Sequence, residues 1–153
     1  RTKEESILLL GTSMGAVAIM KACADYQIKP SGVILECPFG SMRQTVVNRF
    51  NEMKIPSFLL ADFLVFWGGA INGFNAFSFQ PYKDAKKIDV PSLLIGGKED
   101  KKVIEKELLD IYSNLIGIKE LIILPQSQHA NYLEKNEYLW KNTINKWLEK
   151  EIK

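Results

Sequence analysis

The residues ILLLGTSMGAVAIM, 7–20, carry the strongest structural signal of the sequence. They begin with a run of branched apolar residues that ends in glycine, which is the pattern of a short strand buried on both faces. Ser13 follows, with Gly11 and Gly15 two residues away on either side. Apolar positions then recur at three-to-four spacing, which predicts a helix over 14–26. So tight a turn predicts a strained serine backbone that lifts the hydroxyl above the sheet edge, and glycine at the flanking positions avoids collisions with neighbouring backbone.

The predicted helix after Ser13 points its N-terminus at the same place. Its free N–H groups and its dipole favour negative charge there. The N–H of Met14 is therefore placed to donate to an oxyanion. An ordinary glycine-rich turn is the alternative interpretation, but a strand before the serine and a helix after it favour a nucleophile.

Buried strands alternate with helices along the rest of the chain. Strands are predicted over 7–10, 32–39, 90–97 and 120–126, and helices over 14–26, 101–115 and 138–152. This alternation indicates an α/β fold in which helices cover both faces of a parallel sheet of about four strands. A length of 153 residues is enough for one domain with its own core, so residues 1–153 are predicted to form a single domain.

The segment 42–80 fits no single element. It contains IPSFLLADFLVFWGGAINGFNAFSF, in which Asp62 is the one charged residue. A membrane span needs about 20 uninterrupted apolar residues, whereas this run is broken by Pro56, Asp62 and Gly68. We therefore expect no membrane span, and a mostly helical apolar cap over a pocket instead.

With a serine in this setting and an acid and a histidine further along, the chain resembles the α/β-hydrolase superfamily. The resemblance implies that GGKED after the third strand supplies the acid, Asp100, and that PQSQHANY after the last strand supplies the base, His129. Ser13 would attack an acyl carbon, His129 would take and return its proton, and Asp100 would orient the imidazole. The rival acids are Glu99, expected to point away, and Glu36, expected to lie closer to the cap than to the imidazole ring.

The resemblance covers only the second half of the family's fold, from the nucleophile strand onward. It implies that the earlier strands, and the loop that gives the second oxyanion donor, are absent from this sequence. The strand over 7–10 would then form an open apolar edge. We expect that edge to be covered, for example by self-association, and we expect the cap over 42–80 to be an insertion.

The function that the resemblance implies is that of a serine hydrolase. It would cleave an ester, thioester or amide through an acyl-enzyme intermediate, with carboxylic esters as the first choice. The Phe and Trp residues of the cap favour an apolar or aromatic acyl substrate, although these rings could instead only pack the cap onto the body. A non-catalytic fragment or interaction domain, which keeps the triad residues but lacks a complete oxyanion hole, is the alternative from another class.

Composition argues against several other classes. The net charge is +2 and the basic residues are scattered, which gives no nucleic-acid footprint. With one histidine, and with Cys23 and Cys37 at no metal-ligand spacing, we expect buried free thiols and no metal or cofactor. Residues 1–6 carry no leader-like apolar run, and the chain does not begin with methionine. The cytoplasm is the default location, and export stays open.

Overall fold

The computed structural model describes residues 6–129 and 132–152. Residues 1–5, which belong to the stretch without a leader-like apolar run, lie outside the described residues. Four parallel strands form one sheet in sequence order, which confirms the predicted fold class. The strands are β1 (Leu8–Thr12), β2 (Gly32–Glu36), β3 (Ser92–Gly97) and β4 (Lys119–Leu124). Because all four run the same way, their carboxyl ends meet at one edge of the sheet, where ligands and catalytic groups gather in such folds.

Helices fill the connections between the strands. They are α1 (Met14–Tyr26), α2 (Met42–Glu52), α3 (Leu60–Ile71), α4 (Pro81–Asp84), α5 (Glu105–Asn114), α6 (Tyr132–Lys135) and α7 (Glu137–Glu151). Short 3-10 turns occupy 76–78 and 85–87. Among the helices in the described part of the chain, none has the length and apolar character that crossing a membrane requires.

The two faces of the sheet bury separate groups of side chains. Val33 and Leu35 of β2 pack on one face with Met20 of α1. Ile34, between them in sequence, packs on the other face with Trp147 of α7. This alternation is the two-residue period of a strand. Helices therefore cover both faces, as predicted, and β2 and β3 are buried at every residue.

Strand β1 differs from β2 and β3. Leu10 is 50% exposed and Leu8 is 38% exposed, so the prediction of a strand buried on both faces is wrong for β1. Its apolar run is typical of a strand with cover on both sides, and the described residues do not supply that cover. Within them β1 pairs only with β2, which leaves an apolar edge open. Self-association through this edge stays a prediction.

The segment 42–80 is mostly helical, as expected, and consists of α2, α3 and a 3-10 turn. Arg43 of α2 and Asp62 of α3 join the two helices through a two-pronged ion pair whose Nη2–Oδ2 distance is 2.9 Å. Helix α3 buries its small residues and exposes its large ones. The buried residues are Ala61, Val65 and Gly69. The exposed ones include Leu60, Phe63, Phe66, Trp67 and Ile71. These rings therefore do not pack the segment onto the described body.

Candidate active site

The turn between β1 and α1 holds Ser13 in a strained conformation. Its φ of 51° lies in the left-handed region, which non-glycine residues adopt rarely. The Ser13 N–H donates to the carbonyl oxygen of Glu36 at 2.7 Å, so the turn is fixed to the end of β2. A Cβ atom at Gly11 would lie 2.6 Å from the carbonyl carbon of Gly15. Glycine at position 11 thus allows the first turn of the helix to approach the strand.

The second glycine of the motif behaves differently from the first. A Cβ atom at Gly15 would meet no described atom within 4 Å, so the predicted collision at this position is wrong. The space beside Gly15 faces solvent, as the side chain of Met14 does. Met14 is the first residue of α1, and its N–H has no carbonyl one turn earlier in the helix to bind. That N–H is available to a ligand.

The loop after β3 builds a rigid seat for Asp100. The Asp100 side chain is 1% exposed, and its Oδ1 accepts hydrogen bonds from the N–H groups of Lys102 at 2.8 Å and Val103 at 2.9 Å. Two backbone donors on one oxygen fix the orientation of the carboxyl group.

The other oxygen of Asp100 meets the sequence's single histidine. Nδ1 of His129 lies 2.8 Å from Oδ2 of Asp100, and the imidazole is largely buried. The two loops are also joined by backbone: the Glu99 N–H donates to the carbonyl of Ser127 at 2.9 Å. A Cβ atom at Gly97 would lie 2.3 Å from that same carbonyl oxygen, so only glycine permits this approach. The structure therefore brings Asp100 and His129 together as the sequence predicted.

The serine and the histidine are less closely joined. Within the described residues, Oγ of Ser13 makes no hydrogen bond to the imidazole of His129. Contacts of this kind are often long in unliganded sites and tighten when a substrate binds. The arrangement supplies a strained hydroxyl, a helix N-terminus and an oriented imidazole, which are the groups that acyl transfer requires.

The rival acids occupy other positions. Glu99 is exposed, in line with the expectation that it points away from the site. Glu36 is buried, and its carboxylate accepts hydrogen bonds from the hydroxyl of Thr12 at 2.7 Å and from the indole N–H of Trp140. Neither partner belongs to the segment 42–80, and the expectation that Glu36 lies closer to the cap than to the imidazole stays a prediction. Glu36 joins the end of β1 to α7.

Two residues beside the dyad were not assigned to the site from the sequence. The Sγ of Cys37 lies within 4.8 Å of ligand atoms of Asp100 and His129. Burial, followed by the charge of Asp100, raises the pKa of Cys37 to about 12. Burial also raises the pKa of Tyr132, whose fully buried hydroxyl has no hydrogen-bond partner among the described groups. The signal for Cys37 was its place directly after β2, at the carboxyl edge.

The same three atoms could in principle hold a metal ion. However, the Cys37 side chain is fully buried. In addition, Nδ1 of His129 is already hydrogen-bonded to Asp100. The chemistry of this donor set suits an oriented base better than a metal centre.

The matching family model covers residues 1–153 and is described as the prolyl oligopeptidase family. A relative from Bacillus subtilis (strain 168), the uncharacterized protein YqkD, is 28% identical over 141 residues, which make up 91% of this chain and 46% of the relative. The chain thus spans about half the length of this curated relative.

Three solved structures with the same fold are named as an esterase, a serine hydrolase and a lactone degrading enzyme. An esterase of Pyrococcus furiosus, Pf2001, superposes with a TM-score of 0.71 at 18% identity, over 99% of this chain and 56% of the esterase. A serine hydrolase involved in carbazole degradation, CarC, gives 0.67 at 15% identity, over 97% and 66%. Est816, described as an N-acyl homoserine lactone degrading enzyme, gives 0.67 at 14% identity, over 92% and 66%. At these identities the likeness shows the fold, that of the α/β hydrolases.

Proposed function

The chain belongs to the prolyl oligopeptidase family, and we propose that it carries the nucleophile, the acid and the base of a serine hydrolase. Ser13 attacks an acyl carbon, and His129 takes the proton and later gives it to the leaving group. Asp100 holds the imidazole in the required tautomer and stabilises its charged form. Water then hydrolyses the acyl-enzyme, with His129 again acting as the base.

The hydrogen bond between Nδ1 of His129 and Oδ2 of Asp100, at 2.8 Å, is the observation that carries this proposal. A histidine and an aspartate 29 positions apart meet at the carboxyl edge of the sheet, the edge at which the Ser13 turn also lies. The acid is buried and held by two backbone N–H groups, which suits an orienting role better than a solvated surface role. The strained φ of Ser13 adds support from a separate part of the chain.

The N–H of Met14 supplies one donor for the oxyanion that forms on the acyl carbon. It belongs to the first residue of α1, so the helix dipole adds to its effect. Removing one such donor costs about 10²- to 10³-fold in turnover in other hydrolases, so a second donor contributes comparably. That second donor would come from outside the segment described.

A carboxylic ester with an apolar or aromatic acyl group is the proposed substrate class. The surface of the segment 42–80 favours it, because Phe66, Phe74 and Phe77 line a groove of about 490 Å³ beside α3. In this proposal α2 and α3 act as a cap that presents apolar surface to the acyl group. The names of the structural neighbours, esterase and lactone-degrading enzyme, also favour ester bonds over peptide bonds.

Hydrolysis by the full-length protein tests this proposal. Rates are measured on p-nitrophenyl esters of increasing acyl length and on a peptide p-nitroanilide. The Ser13→Ala variant is compared with Ser113→Ala, which alters an exposed serine on α5. We expect ester turnover that Ser13→Ala abolishes and Ser113→Ala retains. Loss of turnover in neither variant, or in both, would contradict the assignment of the nucleophile, and faster cleavage of the anilide would contradict the ester preference.

A further inference from the structure

A buried hydrogen-bond chain runs from α2 to the acid of the site. The side-chain amide of Asn48 donates to the carbonyl of Lys102 at 2.9 Å. That carbonyl belongs to the same peptide group as the N–H of Val103, which donates to Oδ1 of Asp100 at 2.9 Å. A peptide group is planar and stiff, so a shift at its oxygen also moves its N–H. Asp100 in turn bonds His129, which completes the path from α2 to the imidazole.

Glu107 of α5 fixes the start of this chain. Its Oε2 accepts from the amide of Asn48 at 2.7 Å, and its Oε1 accepts from the N–H of Gly40 at 2.9 Å. The N–H of Ile104 also reaches Oε2, at 3.3 Å. Burial raises the pKa of Glu107, and the three donors partly offset this effect. The hydrogen bonds hold this deeply buried carboxyl group in place, and removing one of the donors would destabilise the fold.

The contacts link parts of the chain that are far apart in sequence. Asn48 lies in α2, the first helix of the segment 42–80, whereas Glu107 lies 59 residues later. Gly40 lies just before the segment 42–80, and Asn48 lies within its first helix. Both donate hydrogen bonds to the carboxylate of Glu107. The position of α2 is therefore set by the same group that supports the loop of Asp100.

We propose that Asn48 and Glu107 are positioning residues for Asp100, and that they couple the placement of the cap helix α2 to the orientation of His129. The proposal rests on the triad role given to Asp100 and His129 above. Neither residue touches the reacting atoms. Their effect passes through the peptide group between Lys102 and Val103. A cap that shifts on α2 would change the acid–histidine contact without touching either member of it.

The test replaces Asn48 in the full-length protein and follows both turnover and the imidazole. Asn48→Ala removes the donor to Lys102 and to Glu107, while Asn72→Ala makes the same change at the residue that caps the C-terminal end of α3, where the amide donates to Gly68 of that helix. We expect Asn48→Ala to lower kcat by about ten- to a hundredfold with little change in KM, because a misplacement of about 1 Å costs up to that much. Asn72→Ala should leave both kcat and KM unchanged.

A spectroscopic measurement separates positioning from mere loss of stability. His129 is the single histidine of these 153 residues, and in the [¹⁵N]histidine-labelled full-length protein its imidazole signal is identified by its loss in His129→Gln. We expect its low-field Nδ1 proton, bonded to Asp100, to be lost or shifted in Asn48→Ala and kept in Asn72→Ala. Asn48→Ser is measured in the same way and below its Tm, in case Asn48→Ala does not fold. The shorter serine side chain cannot donate to both the Lys102 carbonyl and the Glu107 carboxylate. Glu107→Gln places an NH₂ group against an N–H donor in either orientation and should act in the same direction.

An unchanged Nδ1 proton and an unchanged kcat in a folded Asn48 variant would overturn the proposal. Failure of the proposed function gives a different pattern. In that case the parent protein has no turnover to lose, yet the Nδ1 proton still reports whether Asn48 controls the contact between Asp100 and His129.

Discussion

The acid–histidine side of the candidate site and its serine side differ in how fully the described residues enclose them. On the acid–histidine side, Asp100 is buried, each of its oxygens is hydrogen-bonded, and the strand that leads to it is buried throughout. On the serine side, Met14 and Leu10 are largely exposed, and open space lies beside Gly15. Both sides have the local geometry of their motif, but the described residues enclose only the acid–histidine side.

The difference between the two sides shows which parts of the site depend on local sequence alone. The strain at Ser13 arises within a few residues, because Gly11 lets α1 approach β1 and the Ser13 N–H binds the end of β2. The seat of Asp100 depends on contacts with α2, α5 and the histidine loop, all of which the chain contains. The serine side is thus specified locally and left open, whereas the acid–histidine side is specified globally and closed.

The largest expected effect concerns the closed side. Asp100→Asn in the full-length enzyme should lower kcat by about 10⁴-fold, because the amide would favour the wrong imidazole tautomer. The neighbouring Glu99→Gln is the matched control, since its side chain is exposed, and it should cost less than about tenfold. Steady-state ester hydrolysis measures both. A large loss of kcat in Glu99→Gln together with a small loss in Asp100→Asn would mean that the acid is misassigned.

A smaller effect compares the two strands by the free energy of unfolding. Leu94 on β3 is fully buried, so Leu94→Ala should lower it by about 2–5 kcal/mol. Leu10 on β1 is half exposed in the single chain, so Leu10→Ala should cost less than about 1 kcal/mol at a protein concentration too low for self-association. Urea denaturation followed by circular dichroism gives both values. Equal losses of unfolding free energy would show that β1 is covered as well as β3. Self-association through the β1 edge would produce that result at higher concentration.

The smallest expected effect compares two glycines. At Gly97 a Cβ atom would meet the backbone of Ser127, so Gly97→Ala should lower the free energy of unfolding by about 1–3 kcal/mol and displace the histidine loop. At Gly15 the space is open and the residue is helical, so Gly15→Ala should raise that free energy by about 0.5–1 kcal/mol. Thermal unfolding measures both. A destabilising Gly15→Ala would show that something occupies the space beside the serine turn.

Much of the fold could be predicted because its signals are local. The apolar runs of β2 and β3 and the helical period of α1 each lie within one element, and the bounds of α1 agree with the prediction. Ser13 was predicted from its place between a strand and a helix, Asp100 and His129 were implied by the resemblance to the α/β hydrolases, and the structure brings the last two together. The exposure of β1 could not be read from its sequence, because the same apolar run is typical of a strand whether or not its cover is present.

The residues that the sequence did not assign to the site owe their roles to long-range contacts. Asn48 and Glu107 are 59 positions apart, and nothing in their neighbourhoods marks them as partners. Glu36 follows a strand, as an acid of the site would, yet its carboxylate bonds Thr12 and Trp140, the latter 104 positions away. Only the packing of α7 against the sheet decides that choice.

Covalent labelling with a fluorophosphonate probe tests most directly whether Ser13 is an activated nucleophile. The full-length protein is treated with the probe, digested, and the modified residue is located by tandem mass spectrometry. Stoichiometric labelling at Ser13 is the predicted result, with no labelling of Ser13→Ala and full labelling of Ser113→Ala. A well-folded parent protein that takes up no probe, or that takes it up at another serine, would contradict the account.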